Sequence, residues 1–547
     1  MIRLRTLVKE LWIGPVQSIL RTLIVFAFVS VTLHACIGES NDELTFRILS
    51  GSENEPLQAL IDDYADEQDV DVEITYAGSV DIMREVARGT SSTYDAVWPA
   101  NSIWILLGDS TNTIQLSKSI MRSPVVFGVK KPVAERLGWI DAEITVGQVL
   151  DAAESGLLTF MMANATQSDS GASAYLGFLY AFAGHPDVLT SADLQSPAVR
   201  EQIERILGTV GRTSGSSAFL KKLFLSEYDS YDAMVNYESA IIETNQVLVS
   251  QGKEPLYAVY LQDGTSIGDF PFAYVDKGDA KKRAVFESIQ AHLRSDDVQH
   301  QLLTLGRRAG FGINPDPAQV DAAVFNPAWG IDIQRVLTPI TIPDAEVVME
   351  ALRLYQTSFR KPSITVFALD LSGSMEESGG DREVKDAMRL LLDQASAAQY
   401  FLDAAPEDVT IVIPFDNRVL GVWSVTGNDP AQLSELSAQI YRTTGGGGTD
   451  MYAAIIEGIR RIEISGVDSS FSSIVVMTDG KSDTGTNLDD IKALLAGNGW
   501  PAPPIFGITF GDVDDDQLQE LAEFSSGAVF DGSDDLTGAF RAVKGYT

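Results

Sequence analysis

The stretch Ile364-Thr-Val-Phe-Ala-Leu-Asp370-Leu-Ser372-Gly-Ser374-Met375 is an apolar run of strand character that ends abruptly in one carboxylate and two hydroxyls. Those oxygens fall at i, i+2 and i+4, so a turn at a strand end presents them together. Hard divalent cations prefer oxygen ligands, and Mg2+ usually keeps waters and takes only one or two carboxylates. The stretch therefore reads as a metal site. Two further segments fit the same idea. Gly445-Gly-Gly-Gly448-Thr449-Asp450 is a glycine loop carrying a hydroxyl just before a helical run, Tyr452 to Ile464. Ile474-Val-Val-Met-Thr478-Asp479-Gly480 is a second apolar strand ending in a carboxylate.

Together these segments resemble the metal-ion-dependent adhesion site of a von Willebrand factor A domain. The resemblance runs from about residue 362 to residue 547 and includes Ile505-Phe-Gly-Ile-Thr-Phe-Gly511 as a late strand. It implies that Asp370, Ser372, Ser374, Thr449 and Asp479 jointly hold Mg2+, or Mn2+ or Ca2+ in its place. Taken singly, Ser372 and Ser374 also read as turn residues, and Thr449 or Asp450 as a helix N-cap. Strand-like runs (Ile364–Leu369, Val409–Pro414, Ser473–Met477, Pro504–Thr509) alternate with helical runs (Val384–Leu402, Tyr452–Ile464, Leu488–Ala496, Gln517–Phe524). Such alternation predicts an α/β domain, doubly wound and Rossmann-like, with parallel strands and helices on both faces. Open sheets of this kind bind ligands beyond the carboxyl ends of their strands, where Asp370 and Asp479 stand.

At 547 residues the chain is too long for one ordinary core. Its 76 acidic and 40 basic residues give a net charge of -36, which disfavours nucleic acid and adsorption to an anionic membrane surface. Cys36 is the one cysteine, so no intrachain disulfide forms, and four histidines make a His-rich zinc site a poor expectation. Arg3, Arg5, Lys9 and Arg21 precede Leu23-Ile-Val-Phe-Ala-Phe-Val-Ser-Val-Thr-Leu-His-Ala35, an apolar stretch of signal-peptide length. Leu33-His34-Ala35-Cys36 is similar to the bacterial lipobox, although His34 replaces the small residue usual there. That implies export and a lipidated Cys36 holding the protein to the cell envelope; an uncleaved single membrane span is the alternative.

Beyond a polar tether (37–43), short strand and helix runs alternate: Leu44–Leu49, Glu55–Ala65, Val70–Tyr76, Val80–Arg88 and Tyr94–Val97. The turns between them are rich in Gly, Ser and Asn, as is Asn164-Ala-Thr-Gln-Ser168-Asp169-Ser170-Gly171-Ala172-Ser173 before Ala174–Ala183. Small residues at helix starts leave backbone N–H groups and hydroxyls free for an anion or polar ligand. Over residues 43–340 this pattern resembles the type 2 periplasmic solute-binding proteins, especially those that bind oxyanions. Asp269-Phe-Pro-Phe-Ala-Tyr-Val275 would be a returning strand, and 286–299 before Leu305-Gly-Arg-Arg-Ala-Gly-Phe311 the late helices and Gly-Phe turn. The resemblance implies two lobes, one of 43–123 plus 268–340 and the other of 124–267, with Ser52, Ser79, Ser170 and Tyr237 lining the cleft between them, joined by Trp98 and Asn101. Each of these also reads as a cap, and Trp98 or Tyr237 as a core aromatic. Glu53 beside Ser52 and Asp169 beside Ser170 would repel a dianion, which leaves a neutral or cationic solute open. Prolines 339 and 343 interrupt the chain before a linker helix in 341–361, and the A domain spans 362–547.

The expected function is that of an exported, membrane-tethered binding protein without enzymatic activity. A protein partner would offer an acidic side chain to the metal, and the cleft would take a small polar or anionic solute. The alternative is a solute receptor of an ABC-type importer with the A domain as an accessory. An enzyme lacks support: there is no Gly-x-x-x-x-Gly-Lys-Ser/Thr phosphate loop, and His185, His292 and His300 lie in no nucleophile or ligand motif. The run Asp512-Val-Asp514-Asp515-Asp516 lacks the glycine and final glutamate of an EF-hand loop.

Overall fold

In the computed structural model the described residues are 44–313, 320–466, 470–483, 485–510, 515–533 and 536–545. Cys36, the apolar leader and the tether lie outside them, as do Gly511, Asp512 and Asp514. The described chain forms three sheets.

The first sheet runs in the order Val72–Ala77, Phe46–Gly51, Ala96–Trp98, Pro271–Val275, Ile114–Ser119. Its first three strands are parallel, and Pro271–Val275 returns antiparallel to both neighbours. The second sheet is built on the long strand Met121–Lys130, which pairs with Ile267–Gly268, Ala233–Tyr237, Leu256–Val259 and Arg308–Ala309. Phe160–Ala163 and Val210–Ser214 extend it. The chain thus crosses between lobes near residues 120 and 269, and a third time near residue 307.

The division differs from expectation after residue 307. Arg308–Ala309 pairs with Met121 and Arg122, and Val324, Phe325, Trp329 and Ile331 pack into the core of the second lobe. The physical reason is Arg308, whose guanidinium meets both oxygens of buried Glu238 at 2.8 and 2.9 Å and the carbonyls of Asp332 and Ile333 at 2.8 Å. Residues 308–313 and 320–337, expected with the first lobe, are held on the second by this pair.

The third sheet follows the order Trp423–Thr426, Val409–Phe415, Ser363–Asp370, Phe471–Thr478, Ile505–Thr509, Val529–Asp531. All its pairings are parallel except the edge strand Trp423–Thr426. Successive side chains of a strand point to opposite faces, and both faces here are apolar. Phe367, Leu369, Val475, Met477, Phe506 and Ile508 pack with helices Gly380–Leu392, Pro430–Arg442 and Leu536–Gly545. Val366, Ala368, Ile474, Val476 and Ile505 pack with Met451–Ser465, Leu488–Asn498 and Asp516–Ser525. Burial on both faces explains why these strands read as continuous apolar runs. The helix expected over Val384–Leu402 stops at Leu392, because the Asp393 side chain accepts from Ser396 N and caps a new short helix, Gln394–Ala398.

The connecting helix Ala345–Leu354 continues into a wider turn, Tyr355–Phe359, packed on the second lobe; Tyr175 Oη donates to the Ala351 carbonyl at 3.0 Å. Arg360 then enters the third sheet through a buried ion pair. Its Nη1 and Nη2 meet Asp408 Oδ1 and Oδ2 at 3.0 and 2.5 Å, and Ser363 N and Ala405 N donate to the same carboxylate at 2.8 Å. Burial opposes the charge on Asp408, yet the guanidinium and these donors overcome it and hold the carboxyl at about 2. Removing one partner of such a pair strands the other charge. Asp408→Ala should lower unfolding stability by about 3–5 kcal/mol, read from urea titration; a loss under about 1 kcal/mol would show that Arg360 finds another partner.

Candidate functional site

The parallel register brings the strand ends together. Asp370 lies opposite Phe415 on one side, and Leu369 opposite Met477 on the other, so Asp370 and Thr478 stand side by side at the carboxyl edge. Asp370 is fully buried. Its Oδ1 accepts from Ser372 N at 2.8 Å and its Oδ2 from Thr478 Oγ1 at 2.5 Å. Ser372 Oγ and Ser374 Oγ are 3.2 Å apart, and Ser374 Oγ donates to Asp479 Oδ1 at 2.9 Å. Asp370, Ser372, Ser374 and Asp479 thus form one connected group, closed below by the sheet and open at exposed Ser374.

Thr449 stands on the neighbouring loop. Its N–H donates to Asp483 Oδ1 at 2.8 Å, and its carbonyl accepts from Asp483 N at 3.0 Å and Ser482 Oγ at 3.1 Å. The glycine run holds this loop against the Ser372–Ser374 turn: Gly373 N donates to the Gly447 carbonyl at 3.1 Å. A Cβ on Gly445 would lie 2.1 Å from the Leu371 carbonyl, and Gly446 and Gly447 have φ of 148° and 93°, so other residues do not fit there. Asp450, rather than Thr449, caps the helix Met451–Ser465 by accepting from Ala453 N at 3.0 Å.

The donor set fits a hard divalent cation. It offers two carboxylates and hydroxyls, with no thiol or imidazole among them. Among the described residues no Lys or Arg forms an ion pair with Asp370 or Asp479. Burial raises the pKa of Asp370; the Thr478 and Ser372 hydrogen bonds lower it, and the facing charge of Asp479 raises it further. Two like charges meeting at a buried strand end are what a cation relieves. Thr478 was missed in the sequence; its place just before Asp479, at the end of an apolar run, was the available signal.

The second candidate site is the seam between the lobes, and there the lobes touch. Ser79 N donates to the Gln167 carbonyl at 3.2 Å, and Trp104 Nε1 donates to Asp169 Oδ1 at 2.7 Å. Tyr237 Oη donates to Asp169 Oδ2 at 2.5 Å and also hydrogen-bonds Glu53. Ser79 and Tyr237 therefore lie at the seam, and Ser52 reaches it through Glu53, to which its Oγ donates at 3.4 Å. Ser170 is wholly buried and shares its hydroxyl with Ser217 at 2.8 Å. Trp98 and Asn101 turn inward within the first lobe: Trp98 Nε1 donates to the Phe270 carbonyl at 3.3 Å, and Asn101 Oδ1 accepts from Ile103 N at 3.1 Å. Sequence reasoning missed Trp104 and Asp269, whose carboxylate accepts from Ser102 N at 2.8 Å.

The seam is acidic. Burial, reinforced by Asp169, pushes Glu53 up to about 7, and burial pushes Asp169 up to about 6 against its bonds from Tyr237 and Trp104. Both folded values lie above the unfolded ones, so the unfolded chain loses these protons first. Their contribution to stability is therefore greatest at low pH and falls as pH rises from about 4 to about 7, by on the order of 2–3 kcal/mol for a shift of that size. Glu53→Gln should unfold at a higher temperature than the parent at pH 8, with the gap closing at pH 4.5. A variant no more stable than the parent at pH 8 would mean that this carboxyl is solvated.

Residues 46–308 match the family model for bacterial extracellular solute-binding protein, and residues 365–538 that for von Willebrand factor type A domain. No curated protein matches the chain. Among solved structures, maltose-bound MalE3 of T. maritima is 13% identical, with a TM-score of 0.42, over 57% of this chain and 93% of its own. Iron-bound HitA of Pseudomonas aeruginosa is 14% identical, with a TM-score of 0.40, over 57% of this chain and 99% of its own. A von Willebrand factor type A protein of Catenulispora acidiphila is 21% identical, with a TM-score of 0.28, over 34% of this chain and 42% of its own. The chain joins a bacterial solute-binding domain to a von Willebrand factor type A domain.

Proposed function

We propose that this protein is an exported, membrane-tethered binding protein without catalytic activity, whose A domain docks a protein partner through a divalent cation. Both of its domains are of kinds that bind ligands or proteins rather than catalyse. The observation that carries the reading is the oxygen cluster of Asp370, Ser372, Ser374 and Asp479 at the sheet edge, with Thr449 on the adjoining loop and, among the described residues, no Lys or Arg ion-paired to Asp370 or Asp479. These five residues would hold Mg2+ or Mn2+. Few carboxylates and neutral hydroxyls leave such an ion with net positive charge and room for a further ligand, which an Asp or Glu of the partner suits. On a chain of net charge -36 that local positive charge also offsets the repulsion of an acidic partner.

Tethering rests on the N-terminal segment and Cys36. Among the described residues no helix is long and apolar enough to cross a membrane. The solute-binding domain would recognise a small polar ligand, and the carboxyls at its seam suit a neutral or cationic solute better than an oxyanion.

The test uses the full-length chain and the metal alone. A Mg2+ concentration a hundredfold above its Kd should stabilise the wild type by about 2.7 kcal/mol, seen as a raised Tm that chelator reverses and Asp370→Ala lacks. Cross-linking on intact cells should then capture partners from wild type in Mg2+ and lose them in chelator and in Asp370→Ala. Partners captured equally in all three conditions would refute metal docking.

A further inference from the structure

The last described helix, Leu536–Gly545, belongs to the A domain by its core, since Ala539, Phe540 and Val543 pack beneath the sheet. Its other side reaches the solute-binding domain. Arg541, 1% exposed, forms an ion pair with Asp81 and donates Nη2 to Gln167 Oε1 at 3.3 Å. Asp81 lies in the first turn of helix Ser79–Ala87 in the first lobe, and Gln167 in the turn before helix Asp169–Phe182 in the second. These two elements are the ones that meet across the seam through Ser79 N–H and the Gln167 carbonyl. One guanidinium therefore spans both lobes.

Independent contacts hold each lobe to the A domain. On the second lobe, Gly545 packs so closely that an added Cβ would lie 2.6 Å from Gly215 Cα and 2.9 Å from Gln167 Cγ. Arg212 Nη2 donates to the Ser526 carbonyl at 2.8 Å, and Lys361 Nζ to the Val210 carbonyl at 2.8 Å. On the first lobe, the Arg84 guanidinium lies 3.5 Å above the centre of the Tyr400 ring. Hinge opening parts the lobes, and a body fixed to both resists it. Burial lowers Arg541 only to about 10, so it remains a cation at neutral pH, and a buried cation deprived of its carboxylate is strongly unfavourable. The contact is thus either made or wholly released.

We propose that the A domain latches the two lobes shut through Arg541, so that opening the seam to a solute and releasing this helix are one event. By linkage, a ligand of the open lobes loosens the helix, and whatever steadies the docked helix weakens that ligand equally.

Hydrogen exchange of the full-length chain, read in peptides covering Gly78–Ile82 and Asn164–Ser170, tests the latch. Arg541→Ala should speed exchange in both segments at least tenfold while the central strand Ser363–Asp370 stays protected. Asp81→Asn, which alters only the solute-binding domain, should do the same. If Arg541→Ala also exposes the central strand, Asp81→Asn decides alone. Exchange at the seam unchanged in Asp81→Asn overturns the latch, as does unchanged exchange in an Arg541→Ala protein whose sheet remains protected.

Discussion

A carboxylate buried at the end of a parallel strand is the constraint on which the rest of the A domain turns. Asp370 is enclosed by apolar strands on both sides, and among the described residues its charge is met by neutral donors, Ser372 N–H and the Thr478 hydroxyl. Neutral donors moderate the penalty of burying a charge without cancelling it. The surrounding architecture then has a reason. Parallel register sets Thr478 beside Asp370 and Asp479 just beyond it, and the glycine run lets the Thr449 loop approach the Ser372–Ser374 turn more closely than any side chain would permit. A cation at this edge would supply the charge that these neutral donors do not.

The solute-binding half shows the opposite solution to a similar problem. Its helix starts carry Glu53, Asp81 and Asp169, so the N-termini that would attract an anion already have carboxylates of their own. Glu53 and Asp169 relieve their burial by sharing Tyr237 and by holding protons more tightly than usual. Asp81 instead takes a cation from the other domain, Arg541. Charge at the seam is thus balanced partly by protonation and partly by a side chain distant in sequence, which ties the state of the lobes to that of the A domain.

The sequence revealed whatever depended on local pattern. Runs such as Ile364–Leu369 and Ile474–Met477 ended in oxygens where the strands end, because residues buried on both faces leave no polar alternation until the edge. The short edge strand Trp423–Thr426 escaped notice: it is antiparallel and mostly solvent-facing, so it carries no such run. The break at Asp393 followed cap chemistry hidden inside an amphipathic stretch. The return of the chain to the second lobe at residue 308 hung on Arg308 meeting Glu238, a pairing across 70 positions that no local pattern announces. Among the cleft candidates, Trp98 and Asn101 had strand-end and turn positions like those of the residues at the seam, and only packing showed them turned inward. Arg541 was the least legible, one basic residue in an amphipathic helix whose meaning lies in two partners from another domain.

The central claim is that the Asp370 edge is a cation site. Titration of the full-length chain with Mn2+, followed by electron paramagnetic resonance of the free ion, tests it most directly. The account predicts one tightly held Mn2+ per chain, competed by Mg2+ and absent from Asp370→Asn. Equal Mn2+ uptake by wild type and Asp370→Asn, or none by either, would contradict it.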